Sequence, residues 1–530
     1  MVKKKILVTD GISENAKRIL DQNYVVDLKK GLSPDDLKSQ IKNYNAIIIR
    51  SATKMTEGII EAAENLGVIG RAGVGVDNVD VKTATKKGIV VVNAPGSNSV
   101  SVAEHAIGLM FALARKIPEA DYSTKAGKWE KSKFKGIEIE GKTLGIVGFG
   151  KIGYLVAKKA TGLGMKVIAY DPFTTDERFA SLGIERADKL DDLHKVADFI
   201  SIHLPKNKDT IGLFNKTEFA KMKKGVVIIN SARGGIIVEK DLADAINEGQ
   251  VGGAALDVFE SEPCTSSPLF ELDKVVCTPH LGASTDEAQD RAGVMIAEQV
   301  SDVLSGKPAT FAVNVPAVSS EVIEAISQFF ELCDNMGDLF TGLFEGNLES
   351  IDVGYEGKVA DYDTKILTNM ILVKILGKYS PESVNLVNVG LITEENGLKV
   401  KEIKSSQTKD YINLIILTGK GKDSELSISG TVTGMKNRPR FVSIDKFAID
   451  MVPSKYMAFI RYEDIPGQIG KIGTAFGKLN INIASMHVGR KKISGEAVMG
   501  LNLDSELTPE MLRRFKKLSG FEKIKVVNPL

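Results

Sequence analysis

Between Gly145 and Pro172 the chain runs Gly-Ile-Val-Gly-Phe-Gly-Lys-Ile-Gly, an amphipathic stretch, and then Met165-Lys-Val-Ile-Ala-Tyr-Asp-Pro. This reads as a strand, a tight glycine turn, a helix, a second strand and an acid at that strand's tip. Few folds accommodate such a sequence, because each glycine answers a separate backbone demand. With Gly148, Gly150 and Gly153 at G-x-G-x-x-G spacing, the first permits the turn and the second lets backbone approach a pyrophosphate. The third lets helix and strand pack closely. Phosphates would then lie at a helix N-terminus, where free N–H groups and the helix dipole favour negative charge.

Asp171 follows Gly153 by 18 positions (171 − 153), near the roughly 20 expected of a carboxylate that binds the adenosine ribose. A carboxylate there repels a 2′-phosphate, so the expected cofactor is NAD rather than NADP. The glycine spacing alone is a weak signal. Its setting, with Lys142 to Val147 before it and Asp171 after it, makes it a dinucleotide site.

The chain has 530 residues, too many for one core and enough for three or four domains of ~150 residues. Its net charge of +1 gives no footprint for nucleic acid or an anionic membrane. The apolar run Ile6-Leu-Val is too short for a signal segment, and no run approaches a membrane span. Cys264, Cys277 and Cys333 lack metal-like or CxxC spacing. We therefore expect a cytoplasmic protein without a metal site.

From Lys4 onward, short apolar runs alternate with helical stretches. Ile6-Leu-Val, Ala46-Ile-Ile-Ile, Val68-Ile-Gly and Ile89-Val-Val-Val are candidate buried strands of a first α/β unit. Ser101-Val-Ala-Glu104 reads as a capping box opening a long helix, which Pro118 should kink or interrupt. After the glycine turn, strands are expected at Phe199-Ile-Ser-Ile, Val226-Val-Ile-Ile, Ala254-Ala-Leu and Val275-Val-Cys-Thr. Such alternation gives a parallel, doubly wound sheet. Ser284-Thr-Asp-Glu287 reads as a second capping box. Its helix, running to about Leu304, should return the chain to the first unit, with Pro308 and Pro316 closing the α/β part. The dinucleotide unit would thus be inserted into the N-terminal unit, leaving a cleft between them.

Three polar groups fall at expected C-terminal strand ends, the edge where open α/β sheets bind ligands. They are Asn230-Ser-Ala-Arg233-Gly-Gly, Asp257-Val-Phe-Glu-Ser-Glu262-Pro and Thr278-Pro-His280-Leu-Gly. Beside a nicotinamide they suit alcohol oxidation. His280 would take the hydroxyl proton, and Glu262 would orient the imidazole and raise its pKa. Arg233 would grip a carboxylate and the developing carbonyl. Taken singly, each has a plainer reading: a surface arginine, a solvated loop acid, a satisfied histidine in a proline turn. His203 is expected to be structural or near the cofactor, and His105 to be packing.

In these residues the chain resembles the D-2-hydroxyacid dehydrogenases. The resemblance is carried by Arg50-Ser-Ala-Thr, Gly70-Arg-Ala-Gly-Val-Gly-Val-Asp-Asn, the glycine turn, Ala232-Arg-Gly-Gly, Asp257-Val-Phe with Glu262-Pro, and Thr278-Pro-His-Leu-Gly. It implies Arg233, Glu262 and His280 as the catalytic set. It puts cofactor contacts at Lys151, Ile152, Asp171, Ser231, Ala232, Asp257, Gly282 and Ala283, with Asp257 near the nicotinamide amide. The backbone of Gly73, Val74 and Gly75 would hold the substrate carboxylate, and Arg50 with Ser51 a substrate phosphate. The implied reaction is NAD-dependent oxidation of 3-phospho-D-glycerate to 3-phosphohydroxypyruvate, opening L-serine synthesis. The alternatives are a glycerate- or glyoxylate-type dehydrogenase and an NAD-sensing regulator without turnover. Trp129 resembles a family residue that reaches a neighbouring subunit; an ordinary half-buried loop aromatic is the other reading.

The expected architecture is a Rossmann-type NAD domain (99–283) inserted into a flavodoxin-like substrate domain (1–98 and 284–316). An α+β intervening domain (317–453) resembles that of the family's long members, and Lys436, Arg438 and Arg440 form there either an anion site or a solvated basic loop. The last segment (454–530) reads strand, helix, strand, strand, helix, strand and resembles an ACT domain, with Asp464-Ile-Pro-Gly467 and Asn480-Ile-Asn482 as matching residues. Asp464 and Asn482 match positions that hold an L-serine effector, although Tyr462 stands where some members carry histidine. A homo-oligomer, dimer or tetramer, is expected, with no nucleic-acid or membrane partner.

Overall fold

The computed structural model describes residues 3–307, 309–315, 320–380, 383–408 and 410–529. Pro308, Pro316 and the expected boundary at 316/317 lie outside the described residues. Among the described residues, no helix is long and apolar enough to cross a membrane.

The first sheet is built from β1 (Lys5–Val8), β2 (Val25–Leu28), β3 (Ala46–Ile49), β4 (Val68–Arg71) and β5 (Val90–Val92). All pairings are parallel and the order is β2-β1-β3-β4-β5, that of flavodoxin-like sheets. The second sheet has seven parallel strands: β6 (Thr143–Val147), β7 (Lys166–Tyr170), β8 (Glu185–Arg186), β9 (Phe199–Ile202), β10 (Val226–Asn230), β11 (Val251–Leu256) and β12 (Val275–Cys277). Their order, β12-β11-β10-β9-β6-β7-β8, is the Rossmann arrangement with one strand added. Both sheets carry helices on both faces, so the central strands are buried at every position: Ala46–Ile49 is wholly apolar, and Phe199–Ile202 is apolar but for Ser201.

Two helices join the units. The helix Ser99–Ala114 leaves the first sheet and buries Ala103, Ala106, Leu109 and Met110 against Leu144 and Ile146 of the second and Val156 on the helix Lys151–Gly162. The helix Asp286–Leu304 returns, burying Ile296, Ala297 and Val300 with Ile6, Val8 and Val68 of the first. Neither begins where a capping box was expected. The first starts at Ser99, and Ser101 lies inside it, its hydroxyl 2.8 Å from that of Thr285. The second is capped by Thr285, whose Oγ1 accepts from Ala288 N; Ser284 lies one residue too early. Pro118 marks an interruption as expected. The helix ends at Ala114, Lys116 turns left-handed (φ 50°), and Pro118 sits in the first turn of the helix Ile117–Lys125. Trp129, past that helix, is 87% exposed, so the half-buried reading is corrected.

The third sheet orders β13 (Leu348–Gly357), β14 (Lys399–Ser405), β15 (Asn413–Gly421), β16 (Glu425–Thr433), β17 (Arg438–Ile444) and β18 (Phe447–Met451) as β14-β13-β15-β16-β17-β18. Helices Phe330–Leu343 and Lys365–Tyr379 share its core. The last unit follows the expected strand–helix–strand–strand–helix–strand order: β19 (Met457–Glu463), β20 (Ile483–Arg490), β21 (Glu496–Leu503) and β22 (Ile524–Val527) form an antiparallel sheet, β20-β21-β19-β22. Side chains along β19 alternate faces. Ala458, Ile460 and Tyr462 join the core under the unit's own helices, whereas Met457 and Phe459 join the core of the third sheet. The two C-terminal units thus share a continuous apolar layer.

Candidate active site

In each parallel sheet the strand order reverses once, and ligands bind beyond the strand ends at such switch points. The second sheet reverses between β6 and β9, where the glycine turn lies. Gly148 has φ 94°, and a Cβ there would stand 2.6 Å from the carbonyl oxygen of His203. A Cβ on Gly153 would stand 2.1 Å from the carbonyl oxygen of Gly148. A Cβ on Gly150, by contrast, would meet nothing within 4 Å, and this residue caps the helix Lys151–Gly162. The turn is therefore closed on its protein side and open where a pyrophosphate would lie, so the residues present fit a dinucleotide. Asp171 stands past the end of β7, accepting from Phe149 N (2.8 Å) and Phe173 N (2.9 Å). Ile152 is partly buried against the core beneath the turn. Lys151 reaches the Gly96 loop at the first unit's border. His203 is held by Ser201 Oγ at 2.8 Å, and desolvation pushes its imidazole down to about 4.

The first sheet reverses between β1 and β3, and Arg50 and Ser51 follow β3 directly. Arg50 N donates to Asp10 Oδ2 (2.6 Å), and its guanidinium donates to Gln289 Oε1 (3.1 Å) on the returning helix. This switch point opens on a cleft bordered by loops that follow β11 and β12 of the second sheet. A cavity of about 580 Å³ there is lined by Arg50, Ser51 and Gly73 from the first unit and by Glu262, His280 and Ala283 from beyond the second sheet.

Within this cleft His280 Nδ1 meets Glu262 Oε2 at 2.6 Å. That hydrogen bond raises the imidazole pKa, and burial opposes it only in part. Burial pushes the Glu262 carboxyl up, but bonds from His280 and Phe259 N outweigh it and hold the carboxyl below its ordinary range. Arg233 follows β10, its carbonyl held by Asn230 Nδ2 at 3.1 Å. Its guanidinium spans the cleft, 3.5 Å from Asp77 Oδ2 and so close to Gly75 that a Cβ there would meet it at 2.5 Å. The Gly73–Gly75 loop is itself fixed where Asn93 Nδ2 donates to Val74 O (2.6 Å). Ser231 is buried beside Ala232, whose N–H donates to Asn230 Oδ1 (3.0 Å).

Asp257 is buried and serves the loop that carries His280. It accepts from Thr278 Oγ1 (2.6 Å), Leu281 N (2.7 Å) and Gly282 N (2.8 Å). His105 Nε2 stands 3.1 Å from both Asp257 Oδ1 and Thr278 Oγ1, so it is a polar partner of this loop and not only packing. Arg71 is a second residue to which sequence reasoning gave no role. It ends β4 and lines the cavity, with Nε buried and unpartnered among the described residues. Burial, then the charges of Arg233 and Arg50, lower its pKa. Its available signal was its place at a strand's C-terminal end within the Gly70–Asn78 motif. Three guanidinium groups thus converge on a cleft that can take a multiply charged anion.

Asp464 and Asn482 lie where β19 ends and β20 begins. Asp464 is paired with Arg490 (3.2 Å), and Asn482 Nδ2 donates to Asp504 Oδ2 (2.6 Å). Gly467, at φ 93°, caps the helix Gln468–Lys478 beside them.

Three family descriptions match the chain: D-isomer specific 2-hydroxyacid dehydrogenase, NAD binding domain, over 107–282; D-3-phosphoglycerate dehydrogenase intervening domain, over 325–445; and ACT domain, over 456–520. The chain is 41% identical over 524 residues to a D-3-phosphoglycerate dehydrogenase of Methanocaldococcus jannaschii, covering 99% of each. It is 45% identical over 517 residues to one of Synechocystis sp., covering 97% of this chain and 93% of that one. Among solved structures it is similar to an NAD+-bound 3-phosphoglycerate dehydrogenase of Entamoeba histolytica, with TM-score 0.50 and 32% identity, covering 59% of this chain and 99% of that one.

Proposed function

This chain belongs to the D-3-phosphoglycerate dehydrogenase family, NAD-dependent oxidoreductases of the D-2-hydroxyacid class, and on that premise we propose which residues carry its reaction. The reaction is oxidation of 3-phospho-D-glycerate to 3-phosphohydroxypyruvate, the opening step of L-serine biosynthesis. The observation that supports the assignment best is the 2.6 Å His280–Glu262 contact in the cavity that Arg50 and Ser51 also line.

NAD, when bound, supplies the hydride acceptor. His280 Nδ1–H donates to Glu262, which leaves the Nε2 lone pair to take the C2 hydroxyl proton. Glu262 stabilises the imidazolium so formed. Arg233 holds the substrate carboxylate beside the backbone of Gly73, Val74 and Gly75, and favours charge developing on the C2 oxygen. Arg50 and Ser51 bind the C3 phosphate, and Arg71 adds charge between the two anionic ends. On the cofactor side, Gly148, Gly150 and Gly153 admit the pyrophosphate, with Lys151 and Ile152 opening the helix that faces it. Asp171 takes the adenosine ribose, and Ser231, Ala232, Asp257, Gly282 and Ala283 border the nicotinamide. Replacing the base tests this reading. His280→Ala should slow turnover by roughly 10²–10⁴-fold while NAD affinity stays close to wild type; turnover within threefold of wild type would refute it.

The domain limits we assign are 1–98 with 284–316 for substrate, 99–283 for NAD, 317–453 for the intervening unit and 454–530 for the ACT unit. We also assign Asp464 and Asn482 to an L-serine effector beside the Gly467 helix start, where free N–H groups favour a carboxylate. Inhibition by L-serine should weaken in Asn482→Ala; full inhibition in that variant would sink the assignment. Exposed Trp129 and Tyr122 support a homo-oligomer, dimer or tetramer, and the three free cysteines support a cytoplasmic setting.

A further inference from the structure

Two short helices, Leu190–Val196 and Lys216–Lys221, lead into β9 and β10. They therefore lie at the N-terminal edge of the NAD sheet, opposite the cleft. His194 on the first is completely buried (0% exposed), and neither of its ring nitrogens has a hydrogen-bond partner among the described residues. Its Nδ1 points towards Glu218 Oε2 at 3.5 Å. Asp191, three residues earlier and so on the same helix face, completes a set whose ligand atoms all lie within 4.8 Å of one another. The Lys221 ammonium stands 2.8 Å from Glu218 Oε1 and 3.2 Å from Asp191 Oδ1, so the carboxylates already attract a cation.

A neutral imidazole has one donor and one acceptor nitrogen. A carboxylate can satisfy the donor but leaves the lone pair idle in a dry site. A metal ion uses that lone pair, and two carboxylates offset the ion's charge. We propose that Asp191, His194 and Glu218 form a structural site for a divalent transition ion of the Zn²⁺, Co²⁺ or Ni²⁺ class.

Imidazole with carboxylate oxygen favours these ions over Mg²⁺ and Ca²⁺, which take all-oxygen shells. Three protein ligands leave at least one position for water. Donors in a tetrahedral site stand about 3.3 Å apart at the usual bond lengths, so the three groups must draw inward and Lys221 must leave. Its half-exposed side chain can do so through its flexible stem. The ion would clamp the helix before β9 to the helix before β10, away from hydride chemistry. Spacing in the sequence does not announce the site, because Glu218 lies 24 residues beyond His194 (218 − 194) and meets it only through the fold.

The test uses the full-length protein, stripped of metal with a chelator and titrated with Co²⁺ while visible d–d absorption is followed. One equivalent per chain should bind. Binding should be lost in Asp191→Asn and in Glu218→Gln, retained in Cys264→Ser, and about tenfold tighter in Lys221→Ala, where two competing ion pairs are gone. NADH formation should be unchanged in Asp191→Asn. Absence of a Co²⁺ band in both wild type and Lys221→Ala would overturn the proposal. So would a band that survives both carboxylate substitutions.

Discussion

At His280 the backbone is left-handed, φ 56°, a conformation that costs a non-glycine residue about 1–2 kcal/mol. Asp257 holds it there, its carboxylate accepting from Leu281 N and Gly282 N and its carbonyl from His280 N (2.9 Å). The loop therefore presents the imidazole in one orientation, with Nδ1 committed to Glu262. With His280 as the proposed base, this arrangement sets a sign for pH dependence. Glu262 raises the His280 pKa, and only the neutral imidazole can accept the substrate proton, so activity must rise as pH passes upward through that pKa. Glu262→Gln removes the charge that raises it. The acidic limb of kcat/KM should then move to lower pH while the maximal rate falls, because the imidazolium loses its counter-charge. A limb that stays in place would detach Glu262 from His280. That Arg233, Glu262 and His280 lie at C-terminal strand ends was legible in the sequence because each follows a recognisable apolar run. His105 was not, since its partner Thr278 is 173 residues away and only the fold brings them together.

Local backbone demands explain which elements could be read early. Gly148 is dictated by its positive φ and Gly153 by its approach to the Gly148 carbonyl, both within one turn, so their spacing together with the flanking apolar runs described the strand–turn–helix unit. Helix starts were less legible. Ser101 and Ser284 both satisfy the capping pattern, yet Ser101 serves a contact with Thr285 and the cap falls on Thr285 itself. The almost unbroken apolar run of β19 reflects burial on both faces, one under its own helices and one against the third sheet. Phe459→Ala should therefore cost roughly 3–5 kcal/mol at that layer. Amide exchange would register this as faster opening in β18 and β19, with the NAD sheet unchanged. Equal acceleration in both places would mean that the C-terminal units do not form a separate cooperative layer.

Across the whole molecule, the residues we propose for recognition and those we propose for chemistry sit on different sheets. The Rossmann unit brings His280, Glu262 and Arg233, and the flavodoxin-like unit brings Arg50, Ser51, Arg71 and the Gly73–Gly75 loop. Each group stands at its own sheet's ligand-binding edge, and the Arg233–Asp77 pair already bridges the gap at 3.5 Å. The division implies that substrate choice can be altered without touching the proton-transfer pair. The most direct measurement is kcat/KM for 3-phospho-D-glycerate and for D-glycerate, in wild type and in Arg50→Ala. Loss of a charge-assisted phosphate contact should lower the first by roughly 10- to 100-fold and leave the second almost unaltered, collapsing the preference for the phosphorylated acid. An equal fall for both substrates, or none for either, would contradict a phosphate site at Arg50.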